Sequence, residues 1–261
     1  MPKRFALPNG VELFLLALML FFCLWQPFDP YHVDPSLSLQ APNTTHWFGT
    51  DWLGRDLYSR TGLALRLSLL RAGAAEIASF LAAFILSVVF VLIAARFQSL
   101  ASFIRLAVRL LPPLLFLFAI ASWSRENLAG PLLGLFVFSF CFAWPVFSAE
   151  TERSLRNPCM AGARALGASP LYMAQKIIAP AALPRLLRYA RLDFASLIAY
   201  EAFLGMGGIL PPPQPALGAM IFDGRQAIVS QQLWLFVFPT AALAMTIFLL
   251  SVMGRTARNS N

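Results

Sequence analysis

The chain has 261 residues, of which 59% are hydrophobic and 12% charged, with a net charge of +8. So few charged side chains cannot cover the surface of a soluble domain of this length. The apolar runs approach the about 20 residues a spanning helix needs, and no alternating pattern points to a barrel, so the composition leaves a helical membrane protein.

Taken in chain order, Lys3 and Arg4 precede an apolar stretch over 11–25 in the manner of a secretory signal. No small-residue cleavage site follows at 25–29, which predicts a retained first span. Further spans are predicted at 72–95, 106–123, 128–148, 192–210 and 233–253, six in all. The third begins beside Arg105 and Arg109 and contains Pro112 and Pro113, which predicts a kink, with its charges snorkelling or facing other helices. Cys23, Cys141 and Cys159 have no metal-ligand spacing, and the first two read as small buried thiols.

The basic residues set the orientation. With the N-terminus inside, fourteen of the 20 Lys and Arg residues are cytoplasmic and six are outside. The net charge is then a topology signal and requires no nucleic acid. Segments 26–71 and 208–232 become outer loops, both termini face the cytoplasm, and 149–191 becomes the largest cytoplasmic loop of one membrane domain spanning 1–261.

That cytoplasmic loop contains "MAGARALGASPLYMAQKIIAPAALP", from Met160 to Pro184. Asn157 and Pro158 form a helix start, an Asn cap with proline at the first helical position, and Gly167 a stop. Ser169 and Pro170 repeat the start signal, and Pro180 is expected to interrupt the second helix. Met160, Ala163, Leu166 and Gly167 recur at three- and four-residue spacing, making a small apolar face that predicts a partner. The alternative is an amphipathic connector resting on lipid headgroups.

Ala163, Gly167, Ala168, Ser169, Ile178, Pro180 and Leu183-Pro184 together resemble the cytoplasmic "EAA" signature of the permease subunits of bacterial ABC importers. "FGTDWLGRDLYSR", from Phe48 to Arg60, and "FLGMGGILPPPQPALGAMIFDGR", from Phe203 to Arg225, are similar to two further blocks of the dipeptide, oligopeptide and nickel group. The three blocks stand in the family's order over most of the chain. The resemblance implies an all-helical permease in the bacterial inner membrane, paired with a second permease subunit. It also implies two ATPase subunits that carry ATP and Mg, and an extracytoplasmic substrate-binding protein. No cofactor is implied for this chain itself. Met160, Gly162, Ala163, Arg164, Leu166, Gly167 and Ser169 would form the ATPase-coupling helix, with Gly167 supplying a positive-φ turn.

The chain departs from the family pattern in three places. Ala161-Gly162-Ala163 replaces Glu-Ala-Ala, Val108 stands where an Asp is usual, and Ile198 stands where a Glu is common. Glu201, one turn beyond Ile198, is the candidate for a substrate path or gate, together with Phe203, Gly205 and Met206. Its alternative is pairing with a basic residue. On the outer face, Asp51, Arg55, Asp56, Arg60, Asp223 and Arg225 are read as structural, either a solvated cluster of charges or an ordered turn entering the second span. Pro211, Pro212, Pro213 and Pro215 predict a stiff segment.

Enzyme chemistry finds no support in the motifs. There is no phosphate loop, no H-E-x-x-H and no G-x-S-x-G. His32 and His46 have no neighbouring cysteine or close acidic cluster, which speaks against a metal centre. The rival classes are a passive channel and an intramembrane enzyme. The cargo stays open between a small peptide, nickel and a metal chelate.

Overall fold

A computed structural model of the chain describes residues 10–94, 113–123, 127–155 and 158–259. Lys3, Arg4, Arg96, Arg105, Val108, Arg109, Pro112, Arg156 and the Asn157 cap lie outside the described residues. The helices are α1 (Gly10–Leu24), α2 (Leu57–Ala94), α3 (Pro113–Trp123), α4 (Ala129–Leu155), α5 (Pro158–Ala165), α6 (Pro170–Met173), α7 (Ala179–Met206), α8 (Leu217–Val229) and α9 (Trp234–Asn259). No strand is present among the described residues; Thr50 and Asp56 make an isolated bridge.

Among the described residues, three helical stretches are long and apolar enough to cross a membrane: Leu57–Ser87, Ala129–Arg153 and Trp234–Met253. Leu13–Leu24 and Leu114–Trp123 are apolar but shorter. On α2, Leu70, Ile77, Leu81 and Ile85 fall on one face at helical spacing and are each 59–64% exposed. An aqueous protein does not leave such a stripe uncovered, whereas lipid solvates it without cost.

The bundle is built around α2, α4 and α7. Ala72 and Ala75 of α2, Leu117 and Ala121 of α3, Leu135 and Phe138 of α4, and Leu197, Ile198 and Leu204 of α7 form one buried cluster. A second joins Cys23 of α1 to Leu57, Ala64 and Leu65 of α2, Leu217 and Met220 of α8 and Leu235 of α9. A third gathers Ala83, Ala143, Trp144, Phe147 and Leu186 at the other end.

Two helix limits differ from the sequence reading. α2 begins at Leu57, fifteen residues before the expected start of the second span at Ala72. Its start is fixed by Asp56, whose Oδ2 accepts the Ser59 amide at 2.8 Å in an N-capping arrangement. The outer segment before the helix is correspondingly shorter than 26–71. Pro180 does not break the second helix of the Met160–Pro184 stretch either. A π-helical turn, Ala174–Ile178, precedes α7, and Pro180 falls in the first turn of α7, where its missing N–H is not needed. The π-helical turn joins α6 to α7, so 170–206 form one helical stretch that runs into the fifth apolar segment.

α7 and α8 touch backbone to backbone. A Cβ on Gly218 would lie 1.6 Å from the Ala202 carbonyl oxygen, so only glycine fits. Gly218→Val should destabilise the chain by about 3 kcal/mol, the upper end for overpacking because backbone must move. A lowered unfolding temperature and reduced membrane abundance are the expected measurements.

Candidate functional site

Glu201 is fully buried on α7 and faces α2. Its Oε1 accepts from Arg71 Nη1 at 2.8 Å, and its Oε2 accepts from Ser68 Oγ at 2.6 Å. Arg71 Nη2 donates to the Gln214 side chain, so the guanidinium also ties down the proline-rich segment before α8. Arg71 Nε is buried without a hydrogen-bond partner. Burying both ions is expensive, and the geometry offsets the cost by giving each carboxylate oxygen its own donor.

Further along the same helices, Glu76 of α2, Ser139 of α4 and Asp193 of α7 converge. Ser139 Oγ lies 2.7 Å from Asp193 Oδ2, 3.1 Å from Glu76 Oε2 and 2.7 Å from Ser79 Oγ. The interior thus carries an ion-pair layer and, beyond it, an acidic layer.

The segment before α2 is a folded, hydrogen-bonded turn. Asp51 Oδ2 accepts from Arg55 Nε at 2.7 Å and pairs with Arg60 Nε at 3.3 Å, and Arg60 Nη1 donates to the Pro30 carbonyl at 3.1 Å. His46 Nδ1 lies 2.9 Å from Asp56 Oδ1. Asp51, Asp56 and Arg60 are 6%, 4% and 8% exposed, so these are buried contacts and not a solvated cluster. Asp34 opens the short helix Pro35–Leu37, and the Ser36 hydroxyl and amide hold its carboxyl below the usual range.

Asp223 is exposed and lines a small cleft with Asp51, Arg55 and Arg60. Arg225 does not join them: its guanidinium stacks 3.8 Å from the Phe222 ring centroid. Phe203 is 49% exposed and meets Phe118 edge-on, Met206 is exposed, and Gly205 is buried against α8. Of the four candidate gate residues, only Glu201 and Gly205 face the interior.

The Met160–Pro184 stretch opens with a hairpin of α5 and α6. Gly167 takes φ +76°, the left-handed turn its sequence position predicts, and the Ala168 amide reaches back to the Ala163 carbonyl at 3.0 Å. Ser169 Oγ accepts from the Tyr172 amide at 3.2 Å, capping α6. The reversal folds the hairpin on itself. Met160 is 1% exposed against Met173 and Ile178, with Ala163 partly buried beside them, while Leu166 is 89% exposed. Met160, Ala163, Leu166 and Gly167 therefore do not form one free face, because the loop supplies its own partner for Met160. Gly162 is exposed beside them, and Arg164 belongs to α5.

No family model matches the chain. A protein of Brucella suis named as a peptide permease is 30% identical over 261 residues, in an alignment covering 94% of this chain and 82% of that protein. This chain belongs to the ABC-importer permease family. The permease is also 28% identical to the nickel transport system permease protein NikC of Escherichia coli, over 95% of this chain and 91% of NikC. A chain of the MetNI methionine ABC transporter shares its fold, with a TM-score of 0.60 and 18% identity over 76% of the permease and 94% of that chain.

Sequence reading found Glu201 but not its partners. Arg71 lies 130 residues away, and Ser68 and Gln214 carry no motif of their own. Asp56 was similarly hidden from His46, ten residues off along a loop. Glu76 and Asp193 had one available signal, since ionisable groups inside predicted spans are costly and mark sites.

In the permease, Arg71→Ala or Glu201→Ala each leaves a buried charge unpaired and should cost about 3–5 kcal/mol. The double variant Arg71→Met, Glu201→Leu should recover much of that loss, because both charges leave together. Thermal unfolding of the three variants checks this directly.

Proposed function

We propose that the permease is one half of the membrane path of an ATP-driven importer in a bacterial inner membrane, with six spans and both termini in the cytoplasm. A second permease subunit completes the path. Two ATPase subunits supply ATP hydrolysis on the cytoplasmic side, and a binding protein delivers cargo outside. The cargo class is a small peptide or a nickel or metal-chelate solute, following the names of the peptide and nickel relatives. The 1–261 chain acts as a single transmembrane unit without chemistry of its own.

The observation that carries this reading is the hairpin tip. Leu166 stands 89% exposed at the end of a short element whose own core is already closed around Met160, and Gly167 and Ser169 fix its turns. A connector has no use for a rigid, presented apolar side chain; a lever seated in an ATPase groove does. Glu201, held by Arg71 and Ser68, and Gln214, held by Arg71, then form an outer latch. Moving α7 against α2 breaks it.

Leu166→Asp tests the lever without disturbing the hairpin core, which Ala163→Asp would also damage. A carboxylate buried at the subunit contact should lower ATPase co-purification and uptake of dipeptide or nickel at least tenfold, each factor of ten being about 1.4 kcal/mol. Membrane abundance should stay unchanged. Normal assembly together with normal uptake would reduce the hairpin to a connector.

Orientation has its own test. In a chain lacking the native cysteines, Val33→Cys and Val229→Cys, 47% and 90% exposed, should react with an impermeant thiol reagent in intact cells. Tyr172→Cys, 54% exposed on the same hairpin, should react only after the membrane is opened; the reverse pattern refutes the topology.

A further inference from the structure

Glu76 and Asp193 are each 7% exposed, and Ser139 between them is fully buried. The Ser139 hydroxyl stands between the two carboxyls, 3.1 Å from Glu76 Oε2 and 2.7 Å from Asp193 Oδ2. Hydrogens in this cluster are scarce. Ser79 Oγ already has the Glu76 backbone carbonyl as acceptor at 2.9 Å, and Ser139 owns a single hydrogen facing two carboxylate oxygens. Glu76 Oε1 is buried with no donor at all. No ion pair among the described residues includes Glu76 or Asp193.

Among the described residues, the groups around the pair supply no compensating charge. From α2 the neighbours are Ser79 and, more than one turn away, Arg71, which is committed to Glu201 and Gln214. From α4 there is Ser139, and from α7 there are Asp193 itself and Tyr189, whose ring stacks on Phe80. Two bare carboxylates in contact inside an apolar bundle repel each other and lack donors. One added proton removes both defects. The protonated carboxyl donates, the other accepts, and the Ser139 hydroxyl relays between them.

We propose that Glu76 and Asp193 hold one proton between them through Ser139, forming a proton-binding site where α2, α4 and α7 meet. Ser139 Oγ stands at hydrogen-bond distance from both carboxyls, and each carboxyl residue is only 7% exposed, which suits a proton and not a larger cation. The site depends only on the packing of these three helices and is independent of the transport reading.

Infrared difference spectroscopy on the full chain in lipid membranes tests it, using the carbonyl stretch of a protonated carboxyl. The wild type should show one such band that is lost in both Glu76→Gln and Asp193→Asn. Each amide can donate to the remaining carboxylate, so both variants should unfold at the wild-type temperature, while Glu76→Ala and Ser139→Ala unfold lower. Absence of the band in the difference spectra would mean that both groups are ionised, and its persistence in either single variant that the remaining carboxyl holds a proton without its partner. Either result overturns the proposal, and so does failure of the Gln or Asn variant to fold.

Discussion

The buried contact between Arg71 and Glu201 is the interaction on which the arrangement of this permease most depends. An apolar bundle tolerates an ionised group only where an opposite charge and hydrogen-bond donors meet it, and Arg71 supplies both to Glu201 while also holding Gln214. Three elements are thereby fixed to one guanidinium: α2, α7 and the segment leading into α8. Hydrophobic packing alone would leave their register loose, because lipid solvates an apolar helix as well as another helix does. Small residues do the rest, as where Gly218 lets α8 lie against the backbone of α7.

Polar contacts also organise the segment before α2. Asp51 and Asp56 are each surrounded by donors: Asp51 receives Arg55, Arg60 and backbone amides, and Asp56 meets His46 and the Ser59 amide. The segment before α2 is consequently a folded cap whose last residue starts the helix. Trp47, Phe48 and Tyr58 pack around Phe22 and Trp25 beneath it, joining α1 to the same assembly.

At the opposite end the hairpin follows a different economy of contacts. It has no charged anchor in its core; Met160, Met173 and Ile178 close it, and Gly167 permits the reversal. Replacement of the signature's Glu by Ala161 is compatible with this, since what the hairpin offers outward is the side chain of Leu166 on a stiff turn.

Much of this was legible in the amino-acid sequence. Composition determined a helical membrane protein, the three ordered blocks pointed to the permease family, and Gly167 announced its turn, because each rests on local chemistry or on residues close in the chain. Helix limits were less legible. The cap at Asp56 and the π-helical turn before Pro180 depend on how the backbone hydrogen-bonds, which apolar run length does not encode. The partners of charged groups were not legible at all. Arg71 finds Glu201, and Glu76 finds Asp193, across more than a hundred residues, and Met160 turns inward only because the hairpin closes upon it. Sequence spacing records which groups are costly to bury; only the packing of α2, α4 and α7 decides which group meets each of them.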